Sequence, residues 1–180
     1  MARRAGDEPR HLIAGHGLTD EKGHYWFLPA DAAPNRLVAT AVSQEDIRRE
    51  MSAIAGKAVL FLDTCHANRA VAARGLGPAG VDVASLVNDF ARTENGLITF
   101  AASQGAELSQ ESPAWGHGAF SLALIEGIGG KADIEHRGAI TVSGLDYYIV
   151  NRVKELTEGH QHSVMSRPDT VYDFAFAMVR

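Results

Sequence analysis

Apolar positions in this chain gather into short unbroken runs, and the clearest is Val59-Leu60-Phe61-Leu62. Others are Leu12-Ile13-Ala14, Leu97-Ile98-Thr99-Phe100-Ala101-Ala102, and Tyr172 to Val179 with Asp173 as the exception. Runs of this length without alternation read as strands buried on both faces, the kind found in parallel sheets. His24 to Asp31 reads as a short strand stopped by proline. Between the runs the spacing turns helical. Ser43 is a good N-cap with Asp46 in the first turn, and Ile47, Met51 and Ile54 predict a helix over 44–54 that Gly56 ends. Val83, Leu86, Val87 and Phe90 share one side of a helix over 81–91. A third helix, over 120–128, opens on glycine. A fourth, capped by Thr141 or Ser143, carries Leu145, Tyr148, Ile149, Val153 and Leu156 and breaks at Gly159. Residues 18–23 read as a turn, 31–40 as loop, 66–80 as a loop with part of it helical, and 104–118 as a long loop. Strands that alternate with helices predict an α/β fold with a mostly parallel sheet flanked by helices.

Length and composition narrow the class. The 180 residues are enough for one domain, read as 11–180, with the polar residues 1–10 as a linker or boundary remnant. A net charge of −5 gives no basic surplus, so nucleic acid is not an expected partner. No apolar run approaches the ~20 residues that span a membrane, and no leader pattern follows Met1. The single cysteine rules out an internal disulfide, and the chain reads as cytoplasmic.

That cysteine, Cys65, stands just past the Val59–Leu62 run, where ligand sites of parallel sheets lie. His16 stands between two glycines at the end of the first run, 49 residues upstream. Only a thiolate attacks, and a nearby imidazole helps form it, so the two strand ends together can supply a nucleophile and its proton-transfer partner. From composition alone, Cys65 reads first as a buried structural thiol, and its place after a buried strand beside Asp63 and His66 shifts that reading toward a nucleophile. Asp63 precedes it by two residues and in a strand would share its face. A carboxylate there can hold a guanidinium through two hydrogen bonds and repel an acid, or it can serve only as a capping or turn aspartate.

Gly15-His16-Gly17 with Asp63-Thr64-Cys65-His66 resembles the caspase-like cysteine peptidases, and within them the metacaspases and their bacterial relatives. The spacing matches the family's histidine about 50 residues upstream of its cysteine. The resemblance runs from His11 to the C-terminus. It implies a caspase-like fold whose first strand, helix and second strand are missing from this chain or supplied from elsewhere. It implies peptide-bond hydrolysis by a Cys65–His16 dyad, an oxyanion hole built from the amides of Gly17 and Cys65, and cleavage after Arg or Lys selected by Asp63, with Asp31 as a second acid. Ser103 and Trp115 would wall the substrate cleft, and Arg69 and Arg74 would be self-processing sites. The expected partner is a peptide or protein substrate, with fusion domains beyond this segment.

The chain departs from the family at Ala67-Asn68, which replaces Ser-Gly, and at Ala14, where many metacaspases have serine. Those departures and the missing first elements motivate an alternative, a catalytically silent caspase-like binding module. Another class of cysteine hydrolase or transferase on the same sheet is a further one. No cofactor is expected. His11, His16, Cys65 and His66 lack the close ligand pairs of a zinc site. Asp82, Asp89 and Glu94 lack the spacing of a calcium loop, although some metacaspases need calcium.

Overall fold

The run ahead of Cys65 forms the middle of the sheet. In the computed structural model, which describes residues 10–20, 22–54, 56–66, 83–91, 96–104, 107, 109–113 and 115–179, eight strands and five helices follow one another. The strands are β1 (Arg10–Thr19), β2 (Tyr25–Leu28), β3 (Val42–Ser43), β4 (Ala58–His66), β5 (Leu97–Ala101), β6 (Ala139–Thr141), β7 (Val164–Ser166) and β8 (Ala175–Met178). The helices are α1 (Leu37–Thr40), α2 (Gln44–Ser52), α3 (Val83–Ala91), α4 (Ala119–Glu126) and α5 (Val142–Leu156).

Six strands make one sheet in the order β3-β2-β1-β4-β5-β7, and β6 with β8 forms a separate ribbon. Side chains of β4 alternate between two cores. Val59 and Phe61 pack with Phe100, Phe120, Leu145, Ile149 and Phe176. Ala58, Leu60 and Leu62 pack with Ile47, Met51, Leu86, Val87 and Phe90. Helices α4 and α5 therefore cover one face, and α2 and α3 the other. Burying each large side chain is worth roughly 1.5–3 kcal/mol, which is why this continuous apolar strand sits at the centre.

The helix ends follow local chemistry. Ser43 caps α2, its hydroxyl oxygen accepting from the Asp46 amide at 3.1 Å and its proton going to Asp46 Oδ2 at 2.6 Å. Thr141, not Ser143, caps α5, accepting from the Gly144 amide. Glu126, at the end of α4, accepts from Arg152 Nε at 2.7 Å and from the Tyr148 hydroxyl at 2.8 Å, both on α5. The Arg152 bond chiefly holds the Glu126 carboxyl far down, at about 2. This pairing fixes α4, whose other end meets the candidate site.

Several expectations need correction. The sheet is mixed: β1, β4 and β5 run parallel, while β2, β3 and β7 join antiparallel. The strand ending in cysteine does not stop at Leu62 but stays paired to β1 through His66. β1 begins at Arg10, inside the expected linker, and runs to Thr19 because Leu18 and Thr19 pair with Trp26 and Tyr25. Residues 31–40 are not loop throughout. Pro34–Arg36 form a 3-10 turn leading into α1, and Thr40 Oγ1 closes it by accepting from the Ala33 amide at 2.9 Å. The α2 helix ends at Ser52, two residues short of Ile54.

Candidate active site

Register decides what the site contains. β1 and β4 pair in parallel from Arg10 opposite Val59 to Gly17 opposite His66. His16 is thereby the register partner of Cys65, and Ala14 that of Asp63. Adjacent strands lie about 4.8 Å apart, so the Cα atoms of His16 and Cys65 are near neighbours across the ladder. The His16 side chain is exposed to solvent. On the far side of β1, His16 pairs with Leu28 of β2.

Asp63 lies on the face covered by α4 and is only 5% exposed. One carboxylate oxygen, Oδ2, accepts a short hydrogen bond from the Ser121 hydroxyl, and the Ser121 amide also bonds to the carboxylate. Ser121 is the third residue of α4, so Asp63 caps that helix from a neighbouring strand. Gly118, the N-cap residue, offers no side chain of its own. A Cβ on it would stand 3.0 Å from Asp63 Oδ2, so glycine is what lets the carboxylate reach the helix end. The other oxygen, Oδ1, is buried and has no hydrogen-bond partner among the described residues. Burial pushes the Asp63 carboxyl above its ordinary value, the Ser121 bonds oppose the shift, and the charge of Glu111 adds to it.

Gly17 has a firm backing. The Tyr25 ring lies so close to its Cα that any side chain there would overlap the phenol. Burial pushes the Tyr25 hydroxyl up to about 12, against a smaller opposing effect of Thr64.

The other anticipated residues are scattered. Ser103, just past β5, is 1% exposed, and its hydroxyl has no partner among the described residues. Trp115 is half-buried in the turn after Ser112, whose carbonyl accepts its amide. Asp31 is exposed, and among the described residues no hydrogen bond or ion pair joins it to Asp63. Asp89 accepts from Gln44 Nε2 at 2.6 Å. Arg69, Arg74, Asp82 and Glu94 fall outside the described residues. Among the described residues no three His, Cys, Asp or Glu cluster as a metal site.

Ser121, Gly118 and Gln161 hold the candidate site in place through contacts that the sequence pattern does not mark. Gln161 is fully buried. Its Nε2 donates to the Ala102 carbonyl and its Oε1 accepts from the Gln110 amide, both at 2.7 Å. The Gln110 carbonyl then accepts from Ala119 at the head of α4. This chain of bonds presses the segment after β5 against the helix end that holds Asp63. His162 adds a second fastening, its amide and Nδ1 meeting the two oxygens of Glu107 at 2.8 and 2.9 Å. The available signal was a glycine-flanked helix start, Gly116-His117-Gly118-Ala119, with no capping side chain.

The described residues define an α/β protein with a mixed six-stranded sheet flanked by helices. No protein-family model matches the chain, and no curated protein does. The fold is similar to the crystal structure of protein GSU0716 from Geobacter sulfurreducens, with a TM-score of 0.57 and 16% sequence identity over 97% of this chain and 73% of that one. Among the described residues no helix is long and apolar enough to cross a membrane.

Proposed function

We propose that this chain is a caspase-like cysteine endopeptidase of metacaspase type that cleaves peptides after Arg or Lys. The observation that carries the reading is the register that makes His16 and Cys65 partners on adjacent parallel strands. The Cys65 thiolate attacks the carbonyl carbon of the scissile bond, forming a C–S bond and an oxyanion. Amides of Gly17 and Cys65 receive that oxyanion, and one such donor is worth roughly 3–4 kcal/mol. His16 passes its proton to the departing nitrogen as the C–N bond breaks. Water then attacks the thioester, His16 takes a proton from it, and the acid product leaves with the thiolate restored. Tyr25, packed against Gly17, keeps that backbone from shifting.

Asp63 supports the choice of a basic side chain. Its Oδ1 is buried without a partner among the described residues, and a guanidinium or ammonium would satisfy it and neutralise the desolvated charge. A second reading, a caspase-like module without catalysis, takes Asp63 as the cap of α4 and nothing more. Hydrolysis of matched peptides with Arg, Lys, Gln or Asp before the scissile bond separates the two. The wild-type protein is expected to cleave the Arg and Lys peptides at least tenfold faster than the Gln peptide and to leave the Asp peptide intact. Absence of turnover, or a preference for Asp, overturns the proposal.

A further inference from the structure

We propose that the groove between the β1–β2 hairpin and α1 receives the first residues on the leaving-group side of the scissile bond, an apolar residue followed by an acidic one; this inference rests on the peptidase reading. His16 and Leu18 alternate onto the sheet face that also holds Asp63. Their antiparallel partners, Leu28 and Trp26, extend that face one strand outward. Trp26, Leu28 and Leu37 pack around Leu18. Moving across the face from β4 toward the sheet edge, a peptide would pass Asp63, then His16, then Trp26 and α1. Trp26 lies one strand over and two residues along from His16, about 8 Å between Cα atoms, or two to three extended peptide residues.

The direction follows from the chemistry. Asp63 holds the side chain that precedes the scissile bond, and His16 gives its proton to the departing nitrogen. The departing peptide therefore lies on the His16 side, over β2.

The groove there has a volume of about 440 Å³, lined by Asp20, Trp26, Asn35, Arg36, Leu37 and Val38. That is within the usual range of small binding sites, roughly 300–1,000 Å³. Asp20 is already engaged: it accepts from the amides of Lys22 and His24 at 2.9 Å and from Trp26 Nε1 at 3.0 Å. Those bonds fix the indole by its polar edge and leave its carbon surface to the groove. Leu37 is half-buried beside it, and Val38 is 86% exposed. Arg36 is exposed and forms no ion pair with any described residue. Among the described residues lining the groove, Arg36 is the one cation, and the Asp20 carboxylate is taken up by its own three N–H partners. The apolar floor with that cation at the rim suits an apolar side chain with a carboxylate next to it.

The test uses quenched fluorescent peptides with Arg before the scissile bond and Leu-Glu, Leu-Lys or Gly-Gly after it, alongside an arginyl aminocoumarin that has no residues on that side. The wild-type protein is expected to cleave the Leu-Glu peptide roughly fivefold faster than Leu-Lys at low salt, as an exposed charge pair allows, and the ratio should shrink in high salt. Arg36→Glu should reverse the order, and reading the ratio within each protein cancels any general loss. A wild-type ratio near one, or a ratio that Arg36→Glu leaves in place, overturns the inference. Turnover of the aminocoumarin reports the peptidase reading separately. In the ¹⁵N-labelled Cys65→Ala chain, the Trp26 indole signal should move on adding Leu-Glu-Gly and less so with Leu-Lys-Gly, while that of Trp115 stays. A Trp26 shift without any aminocoumarin turnover would remove the peptidase reading and retain the groove's selectivity; aminocoumarin turnover without that shift would remove the groove.

Discussion

Cys65→Ala is expected to lower hydrolysis of an arginyl peptide by a factor of about 10⁴–10⁶, to the level of the uncatalysed reaction plus what binding alone provides. The sheet should survive the change. Pairing of β1 with β4 runs over eight residues, from Arg10 to Gly17, and its apolar anchors lie before Asp63. His16→Ala is expected to cost less, about 10²–10⁴-fold, because it removes proton transfer but leaves the thiol. Both variants should melt close to wild type. Measurement of kcat/KM beside a thermal melt checks this, and full activity in purified Cys65→Ala would reassign the nucleophile.

Asp63→Asn should move activity and stability in opposite directions. For Arg and Lys peptides kcat/KM should fall by roughly thirty- to several-thousand-fold, the usual cost of removing one partner of a desolvated charge pair. A Gln peptide should lose far less. Stability at pH 7 should rise, because the folded state holds this carboxylate buried with one oxygen unpaired among the described residues. The sign follows from the raised pKa, which burial causes first. The ionised form is disfavoured on folding, so the penalty is absent below the unfolded value and full above the folded one. The stability gain of Asp63→Asn should therefore fade as the pH drops toward that unfolded value. Melting curves between pH 4 and 8 show whether it does. A uniform loss on every peptide, together with a fall in stability at pH 7, would mean that Asp63 only caps α4.

The strands that carry the candidate site were legible because they sit on the strongest periodic signal. The Val59–Leu62 run is the buried centre of the sheet, and the histidine run pairs directly with it. Ser43 and Asp46 mark the start of α2 by a contact only three residues long. What the sequence hid has longer reach. Asp63 reads as a turn or pocket residue, yet its hydroxyl donor, Ser121, is 58 positions away. Gln161 meets Gln110 and Ala102 across 51 and 59 positions. Strands β3, β6 and β7 have two or three residues each, too few for alternation to show. Antiparallel partners turned the expected mostly parallel sheet into a mixed one, and that choice lies in tertiary pairing, since β7 meets β5 more than sixty residues later. The polar stretch Asp63 to His66 looked like a turn because it breaks the apolar run, but β1 supplies a ladder all the way to Gly17.

The dyad is tested most directly by the rate at which iodoacetamide alkylates Cys65, followed by mass spectrometry at pH 6.5 in the wild-type protein and in His16→Ala. With the imidazole as the thiol's partner, wild type should react at least tenfold faster than the variant, since thiolate is scarce in an unassisted cysteine at that pH. Equal rates in the two proteins would contradict the account.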